Sequence, residues 1–245
     1  MKKVLFSAVG LIAMVTAASA ADLPAKVYTK APPPAPVYNW TGCYIGAEAG
    51  YTWGRESVLA ATAPGGTVTS VKPDGGLGGG TIGCNWQTSN VVIGIENDIS
   101  ASGLRGTAGD QAPFNATFSH SVSSTWLDTL RGRIGLTWDR ALFYATAGVA
   151  FTDIRDSASN GAGITIAGTS TRTGWTAGAG VEYMFAPNWS AKVEYLYADF
   201  GTLHDAFDVP TAGFFTGVNT HLTENIVRAG INYHFNWAQP IVARY

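Results

Sequence analysis

The stretch CYIGAEAGYTW, residues 43–53, alternates with a period of two. Its odd positions are Cys43, Ile45, Ala47, Ala49, Tyr51 and Trp53, and its even positions are Tyr44, Gly46, Glu48, Gly50 and Thr52. A strand sends successive side chains to opposite faces, so one face is apolar and aromatic and the other small or polar. Comparable segments recur at 76–86, 91–103, 121–138, 142–152, 172–185, 189–200 and 220–235. Most of the eight are long enough for tilted membrane strands of about ten residues. No apolar run after the first twenty residues is long enough for a transmembrane helix.

The connections alternate in length. QTSN (87–90), DRA (139–141) and APN (186–188) are tight turns, whereas 54–75, 104–120, 153–171 and 201–219 are long and rich in Gly, Ala, Ser and Thr. Short turns at one end and long loops at the other, on an even number of strands, predict an all-β fold. It is an eight-stranded antiparallel up-and-down transmembrane β-barrel with short periplasmic turns and long extracellular loops. Closure leaves no unpaired edge in lipid. Tryptophan placement is an independent check. Trp40, Trp86, Trp138 and Trp189 fall at short-turn ends and Trp53, Trp126 and Trp175 at long-loop ends, where aromatic girdles belong. Trp40 has the wrong parity for the outer face and is expected just below the barrel. A soluble β-sandwich is the competing fold, but it would gather its large aromatics mid-strand.

The chain opens with Lys2 and Lys3, an apolar run Val4–Val15 and Ala18-Ser19-Ala20, the pattern of a cleaved signal peptide over 1–20. Five of the next nineteen residues are Pro, so 21–39 reads as an extended periplasmic arm. The barrel is expected over 40–235 and a tail over 236–245. Without Lys2 and Lys3 the chain keeps 13 bases against 17 acids and shows no basic stripe, which argues against nucleic-acid binding.

Assigning each apolar face to lipid puts Glu48, Glu96, Asp98, Arg131, Arg133, Glu182, Lys192, Glu194 and Arg228 in the lumen. Counting from the turns sets Glu96 and Asp98 beside Arg131, Glu182 near Lys192, and Glu194 opposite Arg228, with Glu48 brought in by closure. An eight-stranded barrel is just wide enough for side chains, so an ion-pair network there is expected to plug it. Asp128 has lipid-facing parity near Trp126, at the outer interface or on a local bulge. Cys43 and Cys84 fall near the short-turn ends of adjacent strands, and the periplasm is oxidising, so a disulfide is expected, with two buried thiols as the alternative.

The stretches WTGCYIGAEAGYTWG, IGCNWQTSNVVIGIENDI, LRGRIGLTWDRALFYATAGVAF, GWTAGAGVEYMFAPNWSAKVEYLYADFG and IVRAGINYHF resemble the small alphaproteobacterial outer-membrane β-barrel proteins, the major surface antigens of that group. The resemblance spans nearly the whole mature chain. It implies an OmpA-like barrel in the Gram-negative outer membrane, inserted by the outer-membrane assembly machinery with periplasmic chaperones. It implies a structural, envelope-integrity and surface-exposed role, with no cofactor and no catalytic residue. No peptidoglycan-binding domain is expected in the ten residues after Phe235. The family's terminal aromatic signal is matched by GINYHF, with Tyr233 and Phe235 on the lipid face; Tyr245 ends a second candidate, and Pro240 argues against it.

Two other functions compete. A small porin-like channel is opposed by the lumen charges. A lipid-modifying or proteolytic enzyme would need a nucleophile or acid–base group at the outer rim, where His120 with Ser121 and Ser123, and His204 with Asp205, are the candidates; no orienting partner is evident. Phe114, Phe118, Phe207, Phe214 and Phe215 read as packing over the barrel mouth, with an adhesive patch at Phe214–Phe215 as the alternative. The expected partners are therefore outer-membrane lipid and lipopolysaccharide, the assembly machinery, and extracellular ligands met through the loops.

Overall fold

The computed structural model describes residues 38–60, 66–111, 118–160, 162–163, 165–211 and 214–235. The signal peptide, the arm up to residue 37, the 236–245 tail, Phe114, and the side chains of Asp205, Phe207, Phe214 and Phe215 lie outside the described residues. The strands are β1 (Gly42–Ala60), β2 (Thr67–Val71), β3 (Asp74–Thr88), β4 (Val91–Ser102), β5 (Arg105–Gly109), β6 (Ser119–Ser123), β7 (Trp126–Trp138), β8 (Ala141–Ser159), β9 (Thr165–Ala186), β10 (Trp189–Thr211) and β11 (Phe214–Phe235).

Eight of these close a ring. Each of β1, β3, β4, β7, β8, β9, β10 and β11 pairs antiparallel with the next, and β11 returns to β1 through an unbroken register from Cys43↔Phe235 to Ala60↔Val218. At one end the connections are two-residue turns: Ser89-Asn90, Asp139-Arg140 and Pro187-Asn188. Ser89 (φ 58°) and Asp139 (φ 53°) enter the left-handed region to make their turns, which the short side chain of an aspartate tolerates well. The carbonyls of Asn90, Arg140 and Asn188 accept bonds from Thr137, Met184 and His234, so each turn is tied to the next strand.

The opposite end differs from the expected loops. Strand pairing continues through much of 54–75, 104–120, 153–171 and 201–219: β1 runs to Ala60, β8 to Ser159, β10 to Thr211, and β2, β5 and β6 add a further tier. The alternation persists there in small residues, with Val58, Val68 and Ala158 turned inward around Phe118, so the ladder loses nothing by continuing. The segment 121–138 is in turn interrupted at Ser124-Thr125, where the Thr125 and Trp126 amides are satisfied by the Asp153 carboxylate (2.8 and 3.1 Å).

The outward face carries the large apolar side chains, among them Ile82, Ile93, Ile99, Ile134, Leu136, Phe143, Val193 and Ile231. Such a band is unstable in water and suits hydrocarbon. Trp86, Trp138 and Trp189 edge it at the turn end, and Trp53, Trp126 and Trp175 at the other. Trp40 is not below the barrel. It is 1% exposed and packs inside the base with Val92, Leu142, Tyr144 and Met184, because its inward parity carries the ring into the lumen.

Candidate functional site

The interior is built in tiers because the inward residues of each strand change character with height. On β10 the inward series is Ser190, Lys192, Glu194, then Leu196, Ala198 and Phe200. The charged tier on this wall therefore lies between the Trp40 cluster at the base and an apolar tier containing Leu127, Ile154, Leu196, Leu222 and Ile226.

The charged tier holds all nine residues expected there, and each is 6% exposed or less. Arg131 meets Glu96 (2.6 Å), Asp98 (2.5 Å) and Glu194 (2.7 Å). Arg228 meets Glu48 (2.6 Å), Asp98 (2.9 Å) and Glu194 (2.7 Å). Lys192 meets Glu96 (3.0 Å), Asp98 (3.4 Å) and Glu48 (3.5 Å). Shared acids give each cation more than one partner, which offsets the several kcal/mol that desolvating a lone charge would cost.

One expected pairing is replaced. Lys192 and Glu182 are register partners, yet Lys192 reaches across the lumen to β1 and β4. Glu182 instead meets Arg133 (3.0 Å), and accepts bonds from Ser190 (2.5 Å) and Asn232 (2.7 Å). Lysine's long stem makes the crossing feasible, and Glu96 and Asp98 together offer more charge than Glu182 alone. Asp128 needs no bulge: the β4–β7 register is continuous, and Asn97 donates to its carboxylate at 2.7 Å on the outer face.

A reading restricted to charges misses the aromatic part. Arg133 lies between Tyr44 and Tyr144, 5.0 Å from each ring centroid, and donates to Asn85 (2.9 Å). Tyr44 donates to Glu96 (2.6 Å). Both rings lie over glycines, Tyr44 over Gly83 and Tyr144 over Gly180, where a Cβ would collide with the phenol. Tyr44 and Tyr144, and His234 with its ring 5.2 Å from that of Tyr44, all have inward parity, the signal that could have placed them here.

A second ionic group sits above the apolar tier, beyond Trp53. Arg172 meets Glu56 (3.2 Å) and Asp156 (3.0 Å) and donates to the Thr220 hydroxyl (2.5 Å). Burial first, and the Asp156 charge beside it second, push the Glu56 carboxyl up to about 8 against the pull of Arg172. Burial likewise raises Asp156. Sequence reasoning missed this group because it treated 54–75 and 153–171 as loops.

Cys43 and Cys84 are register partners on β1 and β3 and are joined by a disulfide. Tyr233 and Phe235 point outward beside Trp189 in a run of edge-on aromatic contacts. Of the enzyme candidates, His120 has an acidic neighbour the sequence did not show, Asp110 at 3.0 Å, but it is 2% exposed and turned inward, while the Ser121 hydroxyl bonds Thr107 (2.9 Å). His204 is exposed on β10, well separated in sequence from either. Among the described residues no cluster of His, Cys, Asp and Glu could hold a metal.

A family model described as the outer membrane protein beta-barrel domain matches residues 7–235. The 31 kDa outer-membrane immunogenic protein of Brucella melitensis is 33% identical, over 96% of this chain and 100% of its own length. The 25 kDa outer-membrane immunogenic protein of Brucella abortus is 31% identical, over 96% of this chain and 99% of its own. Among solved structures, the outer membrane protease OmpT of Escherichia coli superposes with a TM-score of 0.55 at 10% identity, covering 82% of this chain and 99% of that one, a likeness of fold alone.

Proposed function

The chain belongs to the outer membrane protein β-barrel family, and on that premise we propose that it is a non-enzymatic structural protein whose barrel contributes to envelope integrity. Its outer end meets the surroundings of the cell, and its lumen is plugged by the ion-pair network. The filled charged tier is the observation that carries this reading: nine buried charged side chains and two tyrosines occupy the level where a pore would need water. In a barrel of eight strands little width is left once those side chains are in place.

The same reading assigns export to cleavage after Ala20, and insertion to assembly machinery and chaperones that read Tyr233 and Phe235. Outer-membrane lipid, lipopolysaccharide and extracellular ligands complete the partners.

Planar-bilayer recording on the refolded protein tests the plug. No steady conductance is expected; reproducible single-channel steps would favour a small porin-like channel instead. Cells lacking the protein should be more sensitive to detergent with chelator, and equal sensitivity would argue against the envelope role. Lipid A mass spectra unchanged by its loss are expected of a non-enzymatic barrel; an altered spectrum would favour the lipid-modifying alternative.

A further inference from the structure

Just beyond Trp53, Trp126 and Trp175 the outward face turns cationic. Arg55, Lys72, Arg105 and Arg155 are all exposed there. Two of them share a register row that runs Asp74↔Arg105↔Ser123↔Arg155↔Thr169 across β3, β5, β6, β8 and β9. The next row away from the membrane is Thr107↔Ser121↔Ser157. Register partners point to the same face, so hydroxyls fill the space between and above the two arginines. Two strand spacings set the arginine backbones roughly 10 Å apart. Arg105, Arg155, Ser123, Ser121, Thr107 and Thr169 line a cleft of about 660 Å³, within the range of small-ligand sites.

The acids around the cleft are already engaged, including Asp156, which also lines it and pairs with Arg172 (3.0 Å). Tyr51 donates to Asp74, and Asp153 accepts from the Thr125 and Trp126 amides and the Thr125 hydroxyl. Arg155 touches Asp153 at 3.5 Å, but 58% of its side chain stays exposed. Among the described residues no ion pair holds Arg105. The position is equally specific. Trp126 is level with Asp153, so Arg155 lies two residues above the aromatic edge, within the headgroup zone of roughly 5–8 Å that borders the hydrocarbon.

We propose that this cleft binds the acidic sugar headgroup of an outer-leaflet glycolipid. Arg105 and Arg155 clamp its phosphate or uronate carboxylate, and the hydroxyls of Thr107, Ser121, Ser123 and Thr169 take the sugar hydroxyls. Arginine's planar fork suits either anion. The inference rests on the outer-membrane reading and gives it a defined lipid contact.

The test uses the full mature chain refolded in detergent, with its folded barrel checked by heat-modifiable gel mobility. The probes are purified lipopolysaccharide carrying lipid A phosphates, the same material after phosphate removal, and inorganic phosphate. The wild type should bind the phosphorylated form on the order of tenfold more tightly than the stripped form. R105Q/R155Q should lose that discrimination, while R55Q/K72Q, which alters cations outside the cleft, should keep it. Should R105Q/R155Q not show the folded band, Ser123→Trp fills the cleft with both charges retained and should abolish the discrimination. Discrimination that survives in R105Q/R155Q or in Ser123→Trp overturns the proposal. So does full displacement of lipopolysaccharide by millimolar inorganic phosphate, which marks a free-anion site. A wild type with no heat-modifiable band would fail the barrel reading itself; a folded wild type without discrimination fails only the cleft.

Discussion

Arg131 and Arg133, two residues apart on one face of β7, meet different lumen acids and share only Glu96. Arg131 takes Glu96, Asp98 and Glu194, while Arg133 takes Glu182, touches Glu96 at 3.5 Å and lies between Tyr44 and Tyr144. The first is held by three carboxylates and the hydroxyls of Thr129 (3.2 Å) and Thr146 (3.4 Å), the second by charge and ring faces, so their removal should differ in kind.

Arg131→Ala leaves three buried carboxylates short of a cation. The expected loss is about 3–5 kcal/mol, the range for breaking a buried pair. Urea unfolding of the refolded barrel in detergent would read it, and an unchanged midpoint would remove the network from the account of stability. Arg133→Lys keeps the charge but loses the planar stacking on both tyrosines, and a drop of about 1–2 kcal/mol is expected.

Glu224 provides the contrasting case. It is 2% exposed, accepts from Thr52 (3.0 Å), and has no ion pair with a cation among the described residues. Glu224→Gln should leave the unfolding midpoint unchanged or raise it by up to about 1 kcal/mol, whereas Glu194→Gln, which weakens two arginine pairs, should lower it by several. Equal losses in the two variants would mean that Glu224 carries a charge its surroundings support.

The outer ionic group makes stability depend on pH. Glu56 has its folded value raised to about 8 by burial and by Asp156, above its ordinary 4.5, so the folded state binds this proton more tightly than the unfolded one. Its contribution is fully present below about pH 4.5 and is lost as pH rises through about 8. Protease resistance of the outer end should therefore fall as pH rises from about 5 to about 8 and level off above that, and Glu56→Gln should flatten that fall. A fall of the same size in Glu56→Gln would assign it to another group, with Asp156 next in line.

The Cys43–Cys84 bond closes a loop of 41 residues, for which chain entropy assigns about 4 kcal/mol. Cys43→Ser/Cys84→Ser should unfold at lower urea than the oxidised wild type, and reductant should shift only the wild type. Two labelled thiols per unfolded, unreduced chain would contradict the bond.

Much of the barrel is legible in the sequence because its outer face is written in aromatic and aliphatic residues at strict alternation, from Ile45 on β1 to Phe235 on β11. The inward set was legible too, since no other position in such strands admits Arg131 or Glu96. The partner choices were not. Sheet register names neighbours along the wall, but Lys192 reaches Glu96 and Asp98 across the interior, a relation that depends on curvature and on side-chain length. The outer extensions escaped for another reason: Ser, Thr, Gly and Ala alternate without contrast in hydrophobicity, so pairing such as Ser121↔Ser157 leaves no visible period.

Trp40 and Tyr44 both rest against His234, with ring centroids 5.6 and 5.2 Å apart, so residues from the two ends of the barrel chain meet around one imidazole inside the base. β1 and β11 are also the pair whose union closes the ring. The seam between first and last strand is therefore fastened from within by residues that form the floor. A chain that has not yet joined its first strand to its last lacks a base as well as a wall, and sealing the cylinder and stoppering it become one event.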